Sequence, residues 1–174
     1  MSQSETEFVP REGLLRSNIL SATTAKLYNY INLADQKATG LIILNSFIIP
    51  VTLNALHNEA FKISATIAIL TSVASVFLAI WCIFPKRREA SKPGGARNLL
   101  HFTDIGSLSE DDYMSRIRPI YADTNLLAEE VLKDIHDVSH RVLIPKFRLL
   151  KWCYSVFFVG NVLAILSFLI PVWH

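Results

Sequence analysis

Cysteine occurs twice and glycine six times in the 174 residues. Two cysteines exclude a disulfide scaffold and an all-cysteine zinc site. Six glycines, with no G-x-x-x-x-G-K-[ST], G-x-G-x-x-G or G-x-S-x-G string, argue against a glycine-rich phosphate cradle and against a nucleophile elbow. Charge is scarce as well. Asp, Glu, Lys and Arg make up 18% of the chain, against ~25% in soluble proteins. The net charge is +2, so bulk charge gives no reason to expect nucleic acid as a partner. Hydrophobic residues reach 51% and the mean hydropathy is positive at +0.34, which excludes a disordered chain and an ordinary solvated domain.

Three stretches hold no charged residue at all: 38–58, 63–85 and 152–174, of 21, 23 and 23 residues. A helix needs ~20 mostly apolar residues to cross the hydrocarbon core. All three are long enough, and none has the polar face of a soluble helix. The first carries Asn45, Pro50 and Asn54, the most polar content of the three. The sequence therefore predicts an all-α membrane protein with three transmembrane helices. The first 37 residues contain no apolar h-region and are predicted to be retained rather than cleaved as a signal peptide.

Lys and Arg set the predicted orientation. Residues 1–37 hold four of them (Arg11, Arg16, Lys26, Lys37), the short segment 59–62 holds one (Lys62), segment 86–151 holds twelve, and none follows. Residues 1–37 and 86–151 are predicted to be cytoplasmic, and the 59–62 hairpin and the C-terminus external. Trp81 and Trp152 then fall at the inner interface and Trp173 at the outer one. Cys82 and Cys153 fall at the cytoplasmic end, where thiols stay reduced.

The cytoplasmic portion is predicted to be a helical stalk with a small insert. Leu27, Ile31, Ala34, Ala38, Leu41 and Asn45 recur at alternating spacings of four and three. Ala128, Val131, Ile135, Val138 and Val142 do the same, with Leu149 and Trp152 keeping that register. Each set draws one stripe along a helix, and two such stripes can pack together. Pro145 is predicted to bend the second helix just before the membrane. Between the two lie a Lys92-Pro93-Gly94-Gly95 linker, a short mixed segment at 98–105, and Ser109 with Asp112, a capping pair for a helix through Ile117. Asp123 or Thr124 caps the helix that follows.

His136 and His140 stand at i and i+4 with Asp137 between, close to the H-E-x-x-H zinc motif. The acid is a methylene short, a third ligand is missing unless His101 or Asp104 supplies it, and the pair lies off the Val138 stripe. A solvated helix face is the better account, and the chain is predicted to be no enzyme, with no metal and no cofactor. Lys86-Arg87-Arg88 marks topology and meets anionic headgroups. In the spans, Ser64, Ala68, Thr71 and Ser75 form a small-residue stripe on the second, and Gly160 and Ala164 a small-xxx-small pair on the third, beside Asn161. Asn45 and Asn54 are costly against lipid and are predicted to face protein or water, which makes them candidates for membrane actuation.

Four segments carry a family resemblance: KLYNYINLADQKATGLIILN at 26–45, with its acid-x-Lys-Ala element, FLAIWCIFPK at 77–86, NLLHFTDIGSLSEDDYMSRI at 98–117 and IPKFRLLKW at 144–152. Over residues 26–172 the chain resembles the transmembrane effector family of the Pycsar antiphage systems. The resemblance implies a bacterial inner-membrane effector, with the lipid bilayer as its target. It would sense a cyclic pyrimidine mononucleotide, cUMP or cCMP, made by a cognate cyclase, and would impair the membrane to abort infection. A homo-oligomer is expected. A monoanionic cyclic phosphate needs a donor-bearing cation, and Lys37, Arg97, Arg116 and Arg118 are the candidate binding residues. Two other readings fit the residues alone: a membrane-anchored interaction module without leak activity, and a small membrane metallopeptidase.

Overall fold

In the computed structural model the described residues are 8–84 and 98–169. They are helical throughout apart from short turns, and among them there is no strand. The helices are α1 (Phe8–Ala55), α2 (Lys62–Ile83), α3 (Phe102–Gly106), α4 (Glu110–Ala122), α5 (Thr124–Val138) and α6 (Ile144–Leu169). Among the described residues, three helical stretches are long and apolar enough to cross a membrane: Gly13–Ala55, Glu59–Ile83 and Thr124–Leu169. The chain separates into two compact units, one of Met1–Tyr30 with Lys86–Leu143 and one of Ile31–Pro85 with Ile144–His174.

The second unit is a bundle of the apolar helices, and its seams keep alternating spacings of three and four residues. On α1 the buried positions are Ala34, Ala38, Leu41 and Asn45, the stripe that the sequence predicts. On α2 they are Ala65, Ala68, Ser72, Ser75, Ala79 and Cys82, and on α6 Leu150, Cys153, Gly160 and Ala164. Such spacing keeps one face of each helix toward its neighbours along its length. Nearly every seam residue is small. In lipid the tails are as apolar as the side chains, so helices associate by close backbone approach rather than by burying large hydrophobes. Ala34, Ala38, Leu41, Ala79, Cys82, Leu150 and Cys153 meet in one core cluster, with Ile42, Leu78, Phe147 and Phe157 packed around it.

The seam on α2 differs from the predicted one. Ala68 and Ser75 belong to it, but Ser64 and Thr71 stand beside it, half-buried. Small residues fill both of two adjacent stripes on α2, so composition alone does not separate them. The predicted hairpin between the first two spans is a 3-10 turn over Glu59–Phe61, in which Asn58 Oδ1 accepts the Ala60 N–H at 3.0 Å. Phe61 stacks on Phe168, with ring centroids 4.8 Å apart.

In the first unit, Ser109 caps α4 as predicted, its Oγ accepting the Asp112 N–H at 3.3 Å. The helix then runs past Ile117 and through Pro119 to Ala122. Ser115, whose carbonyl Pro119 leaves without its helical donor, is exposed, so water can replace the lost bond. Of the two candidate caps for α5, Asp123 fills the role. Its Oδ1 accepts the N–H groups of Asn125 and Leu126 at 2.8 and 3.3 Å. The mixed segment at 98–105 is a turn followed by the single-turn helix α3, capped by His101.

The predicted register into the third span fails at one place. Val138 is buried as expected, but Val142 and Trp152 are exposed, and Leu150 and Cys153 are buried instead. Residues Ser139–Leu143 form a π-helical turn. A π-turn takes one extra residue, so a face counted through it moves on by one position. Pro145 follows directly. It lacks an N–H and crowds the carbonyl four residues back, and a wider turn there removes that clash.

Candidate functional site

The α1 end that faces α6 carries a set of polar groups that composition does not single out. Asp35 lies between the fully buried Ala34 and Ala38. Its carboxylate meets the Lys146 ammonium at 2.6 Å. The Lys146 side chain is only 12% exposed and that of Asp35 34%. Removing one member of a buried pair typically costs about 3–5 kcal/mol, because the other charge is left unpaired, and the partial exposure of Asp35 reduces that figure. The Lys146 carbonyl accepts the Cys82 thiol at 3.5 Å, so α1, α2 and α6 all reach this point. Further along α6, the Tyr154 hydroxyl donates to the Lys37 carbonyl of α1 at 3.2 Å.

Further along the bundle the seam turns polar. Asn45 follows Leu41 by one turn on α1, and Ser75 and Ser72 precede Ala79 by one and two turns on α2. All three are fully buried. Asn45 Nδ2 donates to the Leu41 carbonyl at 2.8 Å, and Ser75 Oγ to the Cys153 carbonyl at 3.3 Å. Among the described residues, Asn45 Oδ1 and Ser72 Oγ have no hydrogen-bond partner. An unpaired polar group away from water costs about 1–3 kcal/mol, so this layer of the seam is less stable than an apolar one of the same shape. Asn161 Nδ2, half-buried on α6, donates to the Phe157 carbonyl at 2.8 Å.

The other asparagine singled out, Asn54, is exposed on the last turn of α1, on the side that carries Phe47 and Val51. Its carbonyl accepts from the His57 ring at 3.2 Å. Asn45 thus lies inside the bundle, and Asn54 on the exposed last turn of its helix.

The candidate phosphate ligands are placed as follows. Lys37 is exposed on α1, in the second unit. Arg116 and Arg118 are exposed on α4, in the first unit, and form no ion pair among the described residues. Two positions apart on a helix, they point ~200° away from each other and do not converge on one anion. Arg97, the Lys86–Arg88 cluster, the 92–95 linker and Trp173 lie outside the described residues. Two other cations of the first unit are already engaged. Lys133 bonds Glu130 at 2.9 Å and Glu129 at 3.2 Å, and these bonds, led by that from Glu130, hold its ammonium above the usual lysine range. Arg141 pairs with Asp137 at 2.6 Å.

The insert is tied down by Asn98. Its backbone N–H donates to Asp104 Oδ2 at 2.9 Å, its Nδ2 to Asp134 Oδ1 at 2.7 Å, and its Oδ1 accepts the Leu100 N–H at 3.0 Å. Asp104 is fully buried. The His136 and His140 rings stack in parallel with centroids 6.0 Å apart, both exposed, and among the described residues no group of three metal-binding side chains forms.

Sequence reasoning missed Asp35, Lys146, Ser72 and the Asn98 hub. A signal for Asp35 exists: it sits between two positions of the Ala34–Ala38 stripe, so its charge must lie at the edge of a seam. Nothing in the linear sequence pairs it with Lys146.

A family model described as the Pycsar effector protein domain matches residues 19–172, which takes in the bundle, the Asp35–Lys146 pair and the insert. No curated protein and no solved structure matches the chain.

Proposed function

The chain belongs to the Pycsar effector protein family, and on that premise we propose that it senses a cyclic pyrimidine mononucleotide, cUMP or cCMP, and answers by breaching the bacterial inner membrane. The signal comes from a cognate cyclase, and the response acts through helix packing rather than catalysis. Residues 1–37 and 86–151 face the cytoplasm and hold the sensor, with Lys37, Arg97, Arg116 and Arg118 as the cations available to the cyclic phosphate. The spans are the actuator, and several copies cooperate.

The observation that carries the membrane half of this reading is Asn45. A protein that is merely anchored gains from an apolar seam, whereas this seam buries Asn45 and Ser72 with an acceptor and a hydroxyl that find no partner among the described residues. Such a layer is satisfied when water or a neighbouring copy reaches it, so it favours the open arrangement relative to the closed one. α1 runs unbroken from Phe8 to Ala55, which supports transmission of a movement at its start to the layer at Asn45.

The test measures membrane potential by dye in cells that express the chain with and without an active cyclase. Depolarisation only with the cyclase is the expected result. An inserted protein with an active cyclase and no depolarisation favours instead a membrane-anchored module that recruits a partner. Binding of purified protein to a panel of cyclic nucleotides identifies the base that is read. A reporter active only in the periplasm should work when fused after His174 and stay silent when fused at Gly95.

A further inference from the structure

We infer that the ion pair between Asp35 and Lys146 is the latch that holds the spans closed until the signal arrives, an inference that rests on the membrane-breaching reading above. The pair joins α1 to α6 at 2.6 Å, and the Lys146 carbonyl also takes the Cys82 thiol of α2, so Lys146 is the residue on which all three bundle helices meet. Its flanks are made of small side chains. Ala34 and Ala38 are fully buried on either side of Asp35, and Ala79, Cys82 and Cys153 complete the cluster. Packing of that kind supplies little shape interlock of its own, so directional contact between α1 and α6 at this end comes from the ion pair, with the Tyr154 to Lys37 hydrogen bond beside it.

Physical chemistry makes such a pair a two-state device. Coulomb attraction strengthens several-fold as water is excluded, and a wetted pair is worth very little. Lys146 is 12% and Asp35 34% exposed, so the contact is partly shielded from water while the helices are together and weakens once they part. Opening and loss of the pair therefore reinforce each other. A permanent staple is better made of apolar side chains, because a buried pair offers little net stability over well-packed hydrophobes. The site is also built to move. Lys146 follows Pro145 and the π-helical turn Ser139–Leu143, where the regular backbone bonding of the helix is interrupted. The two partners come from segments 26–45 and 144–152, the first and last of the four that carry the family resemblance.

The experiment uses the full chain in cells, with membrane fractionation to measure insertion and a potential-sensitive dye as readout. Asp35→Asn and Lys146→Met each remove one charge, and the exchange D35K/K146D restores the pair with its polarity reversed. Without any cyclase, each single variant should depolarise cells about tenfold more often than wild type, while the exchange variant should stay as quiet as wild type. A residue needed only for folding gives the opposite sign: its loss lowers insertion and removes the response. Single variants that insert at wild-type level, stay quiet without cyclase and respond normally with it overturn the latch. If a single variant fails to insert, the exchange variant decides: quiet and responsive supports the latch, leaking without cyclase overturns it. The wild-type arm with cyclase reports separately on the proposed function, so failure there is not confused with failure of the latch.

Discussion

Gly160 of α6 lies against Thr71 of α2 with no room for even one more carbon, because a Cβ built at Gly160 overlaps the Thr71 side chain. The Thr71 hydroxyl donates to the Ile67 carbonyl at 2.8 Å, which holds that side chain in place. The contact lies within the extensive packing of α2 against α6.

Gly160→Ala should therefore destabilise the bundle by about 1–3 kcal/mol, the usual cost of overpacking, and Gly160→Leu by more. Thr71→Ala should not repair Gly160→Ala, since the Cβ of residue 71 is itself among the overlapping atoms. Thr71→Gly should repair part of it, less the cost of a second glycine in a helix, about 1 kcal/mol. Thermal unfolding of the detergent-solubilised protein checks all three. A Gly160→Ala variant as stable as wild type would show that the two helices do not meet there.

Asn98 gives a matching prediction for the first unit. Its amide supports Asp134 and the Leu100 N–H, and its backbone reaches the buried Asp104. Asn98→Ala should cost about 1–3 kcal/mol by stranding Asp134 and the Leu100 N–H, while the backbone bond to Asp104 is kept. Asn98→Asp should cost more, because it sets a second carboxylate against Asp134 and close to Asp104. Amide hydrogen exchange of the full chain should speed up across 98–106 and α5 while the bundle helices stay protected.

Much of this architecture is written in the spacing of residues. The Ala34–Ala38–Leu41–Asn45 stripe is legible because its apolar positions alternate by four and three and nothing interrupts the helix. The same logic fails at Val142 and Trp152, since the π-turn at Ser139–Leu143 adds a residue that leaves no mark in the pattern. Ser72 is missed because serines and alanines fill two neighbouring stripes on α2, and only the tertiary fold decides between them. Asp35 and Lys146 are far apart in sequence and neither breaks a local rule, so their pairing belongs to the packing alone.

The cations proposed for the cyclic phosphate can be ranked by geometry. Arg116 and Arg118 leave opposite sides of α4, so one of them at most contacts a given phosphate, whereas Lys133 and Arg141 already satisfy carboxylates. Single alanine variants of Lys37, Arg97, Arg116 and Arg118 should all insert, and at least one should weaken nucleotide binding by tenfold or more, as loss of a charge-assisted bond worth about 1.5–3 kcal/mol requires. Of Arg116→Ala and Arg118→Ala, only one should do so. If all four single variants and the quadruple variant bind like wild type, the phosphate is held elsewhere.

The buried polar layer yields the prediction that reaches furthest into mechanism. Asn45 keeps one hydrogen bond inside its own helix, from Nδ2 to the Leu41 carbonyl, and leaves Oδ1 unpaired in a fully buried position. Leucine has the same branched shape with as many heavy atoms, is somewhat bulkier, and needs no partner. Asn45→Leu should therefore stabilise the closed bundle by about 1–3 kcal/mol, the cost of the stranded acceptor that it removes. The same change takes away the group that water or a neighbouring copy would satisfy in the open state, so the two effects add in one direction. Cells with an active cyclase and Asn45→Leu should depolarise at least tenfold less often than cells with wild type, at equal insertion and equal nucleotide binding. Ser72→Ala should act the same way but more weakly, because a serine hydroxyl can turn to a carbonyl of its own helix and relieve itself. Asn54→Leu should have little effect on the closed state, since Asn54 is exposed at the end of α1. The unpaired layer has no part in actuation if Asn45→Leu inserts, binds and depolarises like wild type. If instead it also depolarises cells that lack the cyclase, Asn45 holds the closed state together rather than opposing it.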